Sequence, residues 1–208
     1  TKAAPNAIYI IVANPVDILT YQFHKVSGIP ANRIIGSGTA LDTARLRARL
    51  AEHYHLAQQN VHAYVFGEHG DSSFVPWSLC NIGSIPVDSF AKSYRGPKLP
   101  DFDKNDVEDY IRKSGGIIIA AKKCTNYAIG VTTATLCEAL NYDTDSVLTI
   151  STMLDGEYGI KDVCLSIPTV IGGNGIKGRI EAPLTDTEIE SLRHSADCLK
   201  DVIKQVNF

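Results

Sequence analysis

The feature that most constrains this chain is Ile8-Tyr9-Ile10-Ile11-Val12, an unbroken β-branched and aromatic run stopped by Asn14-Pro15. A run without polar alternation suits a strand covered on both faces, as in a parallel sheet flanked by helices. Ile18 to Val26 then reads as a short helix, with Asp17 near its start and Gly28 and Pro30 closing it. Arg33-Ile34-Ile35-Gly36 is a second short strand, and a helix from about Ala40 to Tyr54 carries Leu41, Ala44, Ala48 and Ala51 at helical spacing. Val61 to Phe66 alternates as a strand and ends in Gly67-Glu68-His69-Gly70-Asp71, after which Phe74 to Trp77 resumes strand character. Gly96 to Asp103 reads as a surface connection. Helices are predicted near Asp103 to Lys123 and Asn126 to Leu140, and strands at Ser146 to Leu154, Val163 to Ile171 and Ile176 to Ile180. A terminal helix from Thr185 to Val206 opens on a Thr185/Glu188 capping box. The expectation is an α/β front of two strand-helix units, then an α+β body of helices on an antiparallel sheet.

Composition removes several function classes. A chain of 208 residues with 44% apolar residues can bury a substantial core, and a net charge of -3 offers no basic excess for nucleic acid. Ile8 to Ala13 and Ile117 to Ala121, the longest apolar stretches, fall far short of the about 20 residues that cross a bilayer. No membrane or secretory role is expected. The five cysteines, at positions 80, 124, 137, 164 and 198, form no close pair and fit neither a disulfide framework nor a zinc knuckle. They read as reduced, mostly buried thiols of a cytoplasmic protein.

Three places could carry chemistry. Gly36-Ser37-Gly38-Thr39-Ala40-Leu41 follows a strand and precedes a helix, but Leu41 stands where a dinucleotide turn needs its third glycine, and no acidic ribose ligand follows on a second strand. A tight turn with Thr39 as N-cap and Asp42 closing a capping box is the better reading. Asp42 and Arg45, three residues apart, share a helix face and by themselves suggest a surface ion pair. His69 sits in a glycine-flanked turn at a strand end, where loops display catalytic groups, although histidine is also common in turns. A hydrolase built on His69 and Asp42 is disfavoured because no serine or cysteine has a nucleophile setting.

Ala13-Asn14-Pro15-Val16-Asp17, Gly36 to Arg45 and Gly67-Glu68-His69-Gly70-Asp71-Ser72 stand in the order seen in L-lactate dehydrogenases. The chain resembles the carboxyl-terminal part of the lactate/malate dehydrogenase family throughout its length. The resemblance implies a remnant of a Rossmann-type parallel sheet, the last strand-helix units of the dinucleotide-binding domain in residues 1–36, followed by an α+β substrate-binding and catalytic domain in residues 37–208. It implies NAD-dependent interconversion of pyruvate and L-lactate by a homotetramer. His69 is then the proton donor and acceptor, Asp42 orients its ring, and Arg45 binds the substrate carboxylate. Asn14 would touch the nicotinamide and the substrate oxygen, and Thr125 would line the substrate pocket. Physical chemistry agrees with these roles: reduction of a 2-oxo acid needs an acid with a pKa near working pH, a carboxylate to fix its tautomer, and a guanidinium fork for the substrate's carboxylate.

The resemblance also implies regulation and a gap. Arg47 and His62 match the positions at which bacterial L-lactate dehydrogenases bind fructose 1,6-bisphosphate across a subunit interface; the bland alternative is a solvated arginine and a partly exposed strand histidine. The glycine-rich turn, the acidic ribose ligand and the mobile lid with its carbonyl-polarising arginine are not found here, so the main NAD-binding segment is expected to lie outside this sequence, leaving the chain alone weakly active or inactive. Malate or another L-2-hydroxy acid is the alternative substrate, with Thr125 favouring lactate. A noncatalytic fragment or assembly module is the alternative from another class.

Overall fold

A computed structural model describes residues 1–99 and 103–206. A five-stranded mixed sheet organises the α/β fold. β1 (Tyr9–Ile11) and β2 (Ile34–Gly36) pair in parallel, joined by helix α1 (Val16–Ser27). β2 then meets the long antiparallel strands β6 (Ser146–Asp155), β7 (Lys161–Gly172) and β8 (Gly175–Arg179), giving the order β1-β2-β6-β7-β8. One sheet therefore runs from the parallel front into the antiparallel body. Helix α2 (Ala40–His53) follows β2, and the long helices α4 (Lys104–Lys122), α5 (Tyr127–Asn141) and α6 (Asp186–Gln205) complete the layers. The α6 capping box forms between Thr185 and Glu188. Among the described residues no helix is long and apolar enough to cross a membrane.

The strand expected over Val61 to Phe66 is shorter than its sequence suggests. β3 covers only Val61–His62, in a small sheet with β4 (Asn81–Ile82) and β5 (Ile85–Pro86) that the alternation did not reveal. Beyond His62 the backbone partners come from side chains of α2 and of Thr39, which precedes it. Thr39 Oγ1 donates to the Val65 carbonyl at 2.5 Å, Val65 N–H donates to Thr43 Oγ1 at 2.9 Å, and Arg47 Nε donates to the Ala63 carbonyl at 2.9 Å. A helix face thus replaces a neighbouring strand and satisfies buried backbone groups. Phe74 makes a single bridge to Phe66 before Pro76 and a 3-10 turn at Trp77–Leu79 end the strand expected there. β4 and β5 turn at Gly83 and Ser84, both at positive φ, and lead into the short helix α3 (Val87–Ser93), which was also not foreseen. The expected connection from Gly96 to Asp103 lies partly outside the described residues.

Two further expectations are corrected. Thr39 makes no side-chain cap, because its hydroxyl is spent on Val65 and its own N–H is taken by Ser166 Oγ at 3.1 Å. The cysteines are not mostly buried: Cys80 and Cys164 are, Cys198 is intermediate, and Cys124 and Cys137 are exposed. Gly36 and Gly38 serve packing. A Cβ on Gly36 would stand 2.8 Å from that of Ser151, and one on Gly38, at φ +49°, 2.4 Å from the Ser151 amide. The glycines of the tight turn let β2 and α2 close onto β6.

Candidate active site

The carboxyl ends of β1 and β2 open into a cleft of about 450 Å³, the place where open α/β sheets bind ligands. Its lining includes Asn14, Asp42, Arg45, His69 and Thr125, residues scattered over more than a hundred positions of sequence. Asn14 follows β1, and its peptide to Pro15 is cis. Asp42 and Arg45 come from the first turns of α2, His69 from the loop beyond Phe66, and Thr125 from the link between α4 and α5.

Within the cleft, Asp42 joins the other two charged groups. His69 Nδ1–H donates to Asp42 Oδ2 at 2.6 Å, and Arg45 Nη1 donates to Asp42 Oδ1 at 3.1 Å. The Asp42 side chain is only 8% exposed, so the pair expected at the surface is instead enclosed. The hydrogen bond with Asp42 raises the His69 pKa above its ordinary value; burial opposes this, the charges of Asp42 and Asp17 assist it, and Arg45 acts against it. With Nδ1 committed to Asp42, the other ring nitrogen is left for a ligand, the arrangement a general acid-base histidine needs.

Arg47 and His62 do not join this group. Arg47 is pinned by the Ala63 carbonyl and lies 4.6 Å from the Tyr64 ring centroid, while His62 is exposed on β3. Arg47 also borders a separate cavity of about 190 Å³ between α2, α5 and β6.

Sequence reasoning missed three contributors. Arg112 and Gly115 bring α4 into the cleft lining, with Arg112 held by Glu108 at 2.5 Å. Asp17 supports the histidine loop from below, its Oδ2 accepting the His69 backbone N–H at 2.7 Å. A carboxylate within the apolar face of α1 was the available signal, and it was read only as a residue near the helix start. Burial pushes the Asp17 carboxyl up to about 6. Burial likewise pushes the Cys80 thiol up to about 12, so that cysteine is no thiolate nucleophile.

A nicotinamide end fits here. Val12, Leu41, Ile119 and Ile129 supply apolar wall beside the polar His69 and Asn14, whereas no glycine-rich phosphate turn occurs among the described residues.

The sequence pattern of the lactate/malate dehydrogenase NAD-binding domain matches residues 1–36, and that of the family's α/β carboxyl-terminal domain matches residues 39–207. The L-lactate dehydrogenase of Acetivibrio thermocellus is 43% identical over 203 residues, covering 98% of this chain and 64% of the relative. That of Bacillus pumilus is 42% identical over 202 residues, covering 97% and 64%. This chain therefore spans a little under two thirds of the length of these relatives. Among solved structures, an L-lactate dehydrogenase from Clostridium thermocellum superposes with a TM-score of 0.87 at 36% identity over 96% of this chain and 65% of its own. A lactate dehydrogenase from a Medee basin deep-sea metagenome library gives 0.91 at 36% identity, covering 96% and 63%. Matched almost end to end by two domain patterns in their family order, and by solved structures over the same span, the chain belongs to the lactate/malate dehydrogenase family.

Proposed function

We propose that this chain carries the substrate and acid-base machinery of an NAD-dependent L-lactate dehydrogenase, interconverting pyruvate and L-lactate. The His69–Asp42 contact at 2.6 Å, inside a cleft that also holds Arg45, is the observation that carries this reading. The names of the relatives support the choice of lactate. We place the boundary between the cofactor-domain remnant and the catalytic domain at residues 36 and 37, in keeping with the two domain patterns.

Reduction of pyruvate adds hydride to C2 and a proton to the carbonyl oxygen. A bound nicotinamide supplies the hydride. His69 supplies the proton from its free ring nitrogen, and Asp42 stabilises the imidazolium beforehand and keeps Nδ1 protonated afterwards. Arg45 receives the substrate carboxylate on the guanidinium edge that Asp42 leaves free. Asn14 faces the carbonyl and the nicotinamide, and Thr125 bounds the space for the methyl group. Leu41 and Ile129 add apolar wall beside these charges.

The test is turnover of pyruvate with NADH and of L-lactate with NAD, in this chain and in a longer form that includes the amino-terminal segment of the relatives. His69→Gln is expected to lower turnover by about 10²- to 10⁴-fold. Preference for oxaloacetate would transfer the reading to malate. No turnover and no NADH binding in either form would leave a noncatalytic module.

We further propose that Arg47 and His62 bind fructose 1,6-bisphosphate at a subunit interface of a homotetramer. Arg47 is preset by Ala63 and Tyr64 beside the strand that exposes His62, which supports an anion site. Sedimentation across a bisphosphate titration checks it. Association that rises in the wild type and is flat in Arg47→Gln/His62→Ala is expected; no response in the wild type removes the site.

A further inference from the structure

α4 forms one wall of the cleft with a single face. Arg112, Gly115 and Ile119 stand at i, i+3 and i+7 along the helix, and all three line the cleft. The helix is packed mainly in its first half. Val107, Ile111 and Ser114 are buried there, whereas Ile117 and Ile119, beyond the Gly115-Gly116 pair, are 59% and 49% exposed. A Cβ on either glycine would meet nothing within 4 Å, so neither glycine is required by a close neighbour. Where this wall stands therefore depends on what fastens residues 104–114.

The fastening is a half-buried polar knot that reaches the histidine loop. Glu108 uses both carboxylate oxygens: Oε1 accepts from Trp77 Nε1–H at 2.7 Å, and Oε2 accepts from Arg112 Nη2 at 2.5 Å. The Glu108 and Arg112 side chains are 17% and 25% exposed, an enclosure that makes charge-assisted bonds stronger than pairs at the open surface. Arg112 Nε donates in turn to the Ser73 carbonyl at 3.4 Å. Ser73 is buried, and its N–H closes the turn onto the Gly70 carbonyl at 3.2 Å, one residue past His69. Asp109 adds a longer contact to Arg112 at 3.5 Å and shares its carboxylate with Lys113. At the start of the helix, Lys104 pairs with Asp88 of α3 at 2.8 Å and lies 5.4 Å from the Trp77 ring centroid.

We propose that Glu108 and Arg112 are positioning residues that fasten α4 to the limb of the loop returning from His69, and so set the span of the cleft between the histidine and the wall bearing Gly115 and Ile119. The effect on a 2-oxo acid rests on the dehydrogenase reading; the fastening does not. Ser73 and Trp77 are held by one carboxylate–guanidinium unit, so removing either partner lets the two walls separate. The unit needs the planar fork of arginine: a lysine at 112 can pair with Glu108 but has no second nitrogen for Ser73. The charges that act on the His69 ring are those of Asp42, Asp17 and Arg45, so the fastening governs how a substrate is held rather than the proton on the ring. Loss of binding that is shared by ground state and transition state raises KM and leaves kcat in place.

Trp77 is the single tryptophan of the chain, so its indole N–H is an unambiguous reporter in nuclear magnetic resonance of the 208-residue protein. Arg112→Lys is expected to shift the Gly70, Ser73 and Gly115 amides together while the indole stays on Glu108 and the His69 ring keeps its midpoint. Glu108→Ala is expected to shift the same amides and to speed exchange of the indole proton by about tenfold or more. In the longer form, both variants raise KM for pyruvate by about tenfold, change kcat by less than about threefold and keep the midpoint of the pH-rate profile. A role in stability alone would appear in urea unfolding and leave KM where it was. If Glu108→Ala does not fold, Arg112→Lys, which keeps the charge, carries the test. Amides that stay in place in the folded variants, or a pyruvate KM that does not rise in an active longer form, overturns the proposal. A longer form without turnover whose variants still shift the three amides keeps the fastening and sinks the dehydrogenase reading; an active form with unmoved amides does the reverse.

Discussion

Asp17 carries a burial cost that pH exposes at the scale of a single residue. Burial pushes its carboxyl up to about 6 in the fold from an ordinary value of 3.8, so the folded chain holds a proton that the unfolded chain has released across that window. The penalty is absent below the unfolded value, grows as pH rises, and is complete above the folded one. Asp17→Asn is therefore expected to raise stability at pH 7 by about 3 kcal/mol, with the gain vanishing near pH 4; urea denaturation at the two pH values measures it. A gain that is the same at both would separate the effect from ionisation. His69 has the opposite sign of charge. Its raised pKa gives stability that is present at low pH and lost as pH rises through the folded value, and on the proposed dehydrogenase reading the same titration removes the acid for pyruvate reduction. Asp42→Asn withdraws the largest supporting interaction. On that reading the fall in pyruvate reduction with rising pH begins at lower pH in the variant, as a pH-rate profile would show.

At the scale of elements, α2 does the work of a missing strand as well as presenting the site. Thr43 Oγ1 accepts from Val65 N–H and lies 2.8 Å from Thr149 Oγ1, tying helix, loop and β6 at one buried atom. Thr43→Val keeps the shape of the side chain but strands the Val65 amide, so a loss of about 1–3 kcal/mol is expected by thermal or urea unfolding. A loss below 0.5 kcal/mol would mean that the 63–65 segment finds other partners. The same helix sends Arg47 to Ala63, and Thr39 at its start reaches Val65, so the approach to His69 is set in part by α2.

Across the whole molecule, the site depends on packing far from the cleft. Phe66, Leu165, Ile167, Leu192 and Leu199 belong to one buried cluster that joins the histidine segment, β7 and α6. Leu192 lies one turn before Ser195, so its packing sets where the Ser195 hydroxyl accepts the Glu68 N–H. Leu192→Ala is expected to cost about 2–5 kcal/mol and to loosen the Glu68 amide along with the core. Hydrogen exchange read amide by amide decides the second point: a Glu68 amide that stays protected while global stability falls would show that Ser195 is held independently of the cluster.

The long helices, the strands β6 to β8 and the capping box of α6 were legible because local pattern alone specifies them: apolar periodicity over many residues, and a Thr-x-x-Glu start. His69, Asp42 and Arg45 were legible as chemical types at fixed spacing, and the resemblance supplied their joint meaning. How the site assembles was legible only through the resemblance, which set Asp42 against the His69 ring, and not from the residues themselves. Sequence spacing made Asp42 a surface or capping acid, and only the fold turns α2 so that its carboxylate meets a ring 27 residues away. β3 to β5 and α3 escaped because two-residue strands and a seven-residue helix carry too little periodicity to stand out. Asp17 and Ser195 escaped for a different reason. Each is an ordinary residue on its own helix, and its value lies in an amide of a loop that its own sequence neighbourhood says nothing about. The sequence by itself determined the elements and the reactive groups, which depend on local propensity and side-chain chemistry; the tertiary structure decided which groups touch, which are buried and how their protons are shared, because those depend on distance and solvent rather than on order along the chain.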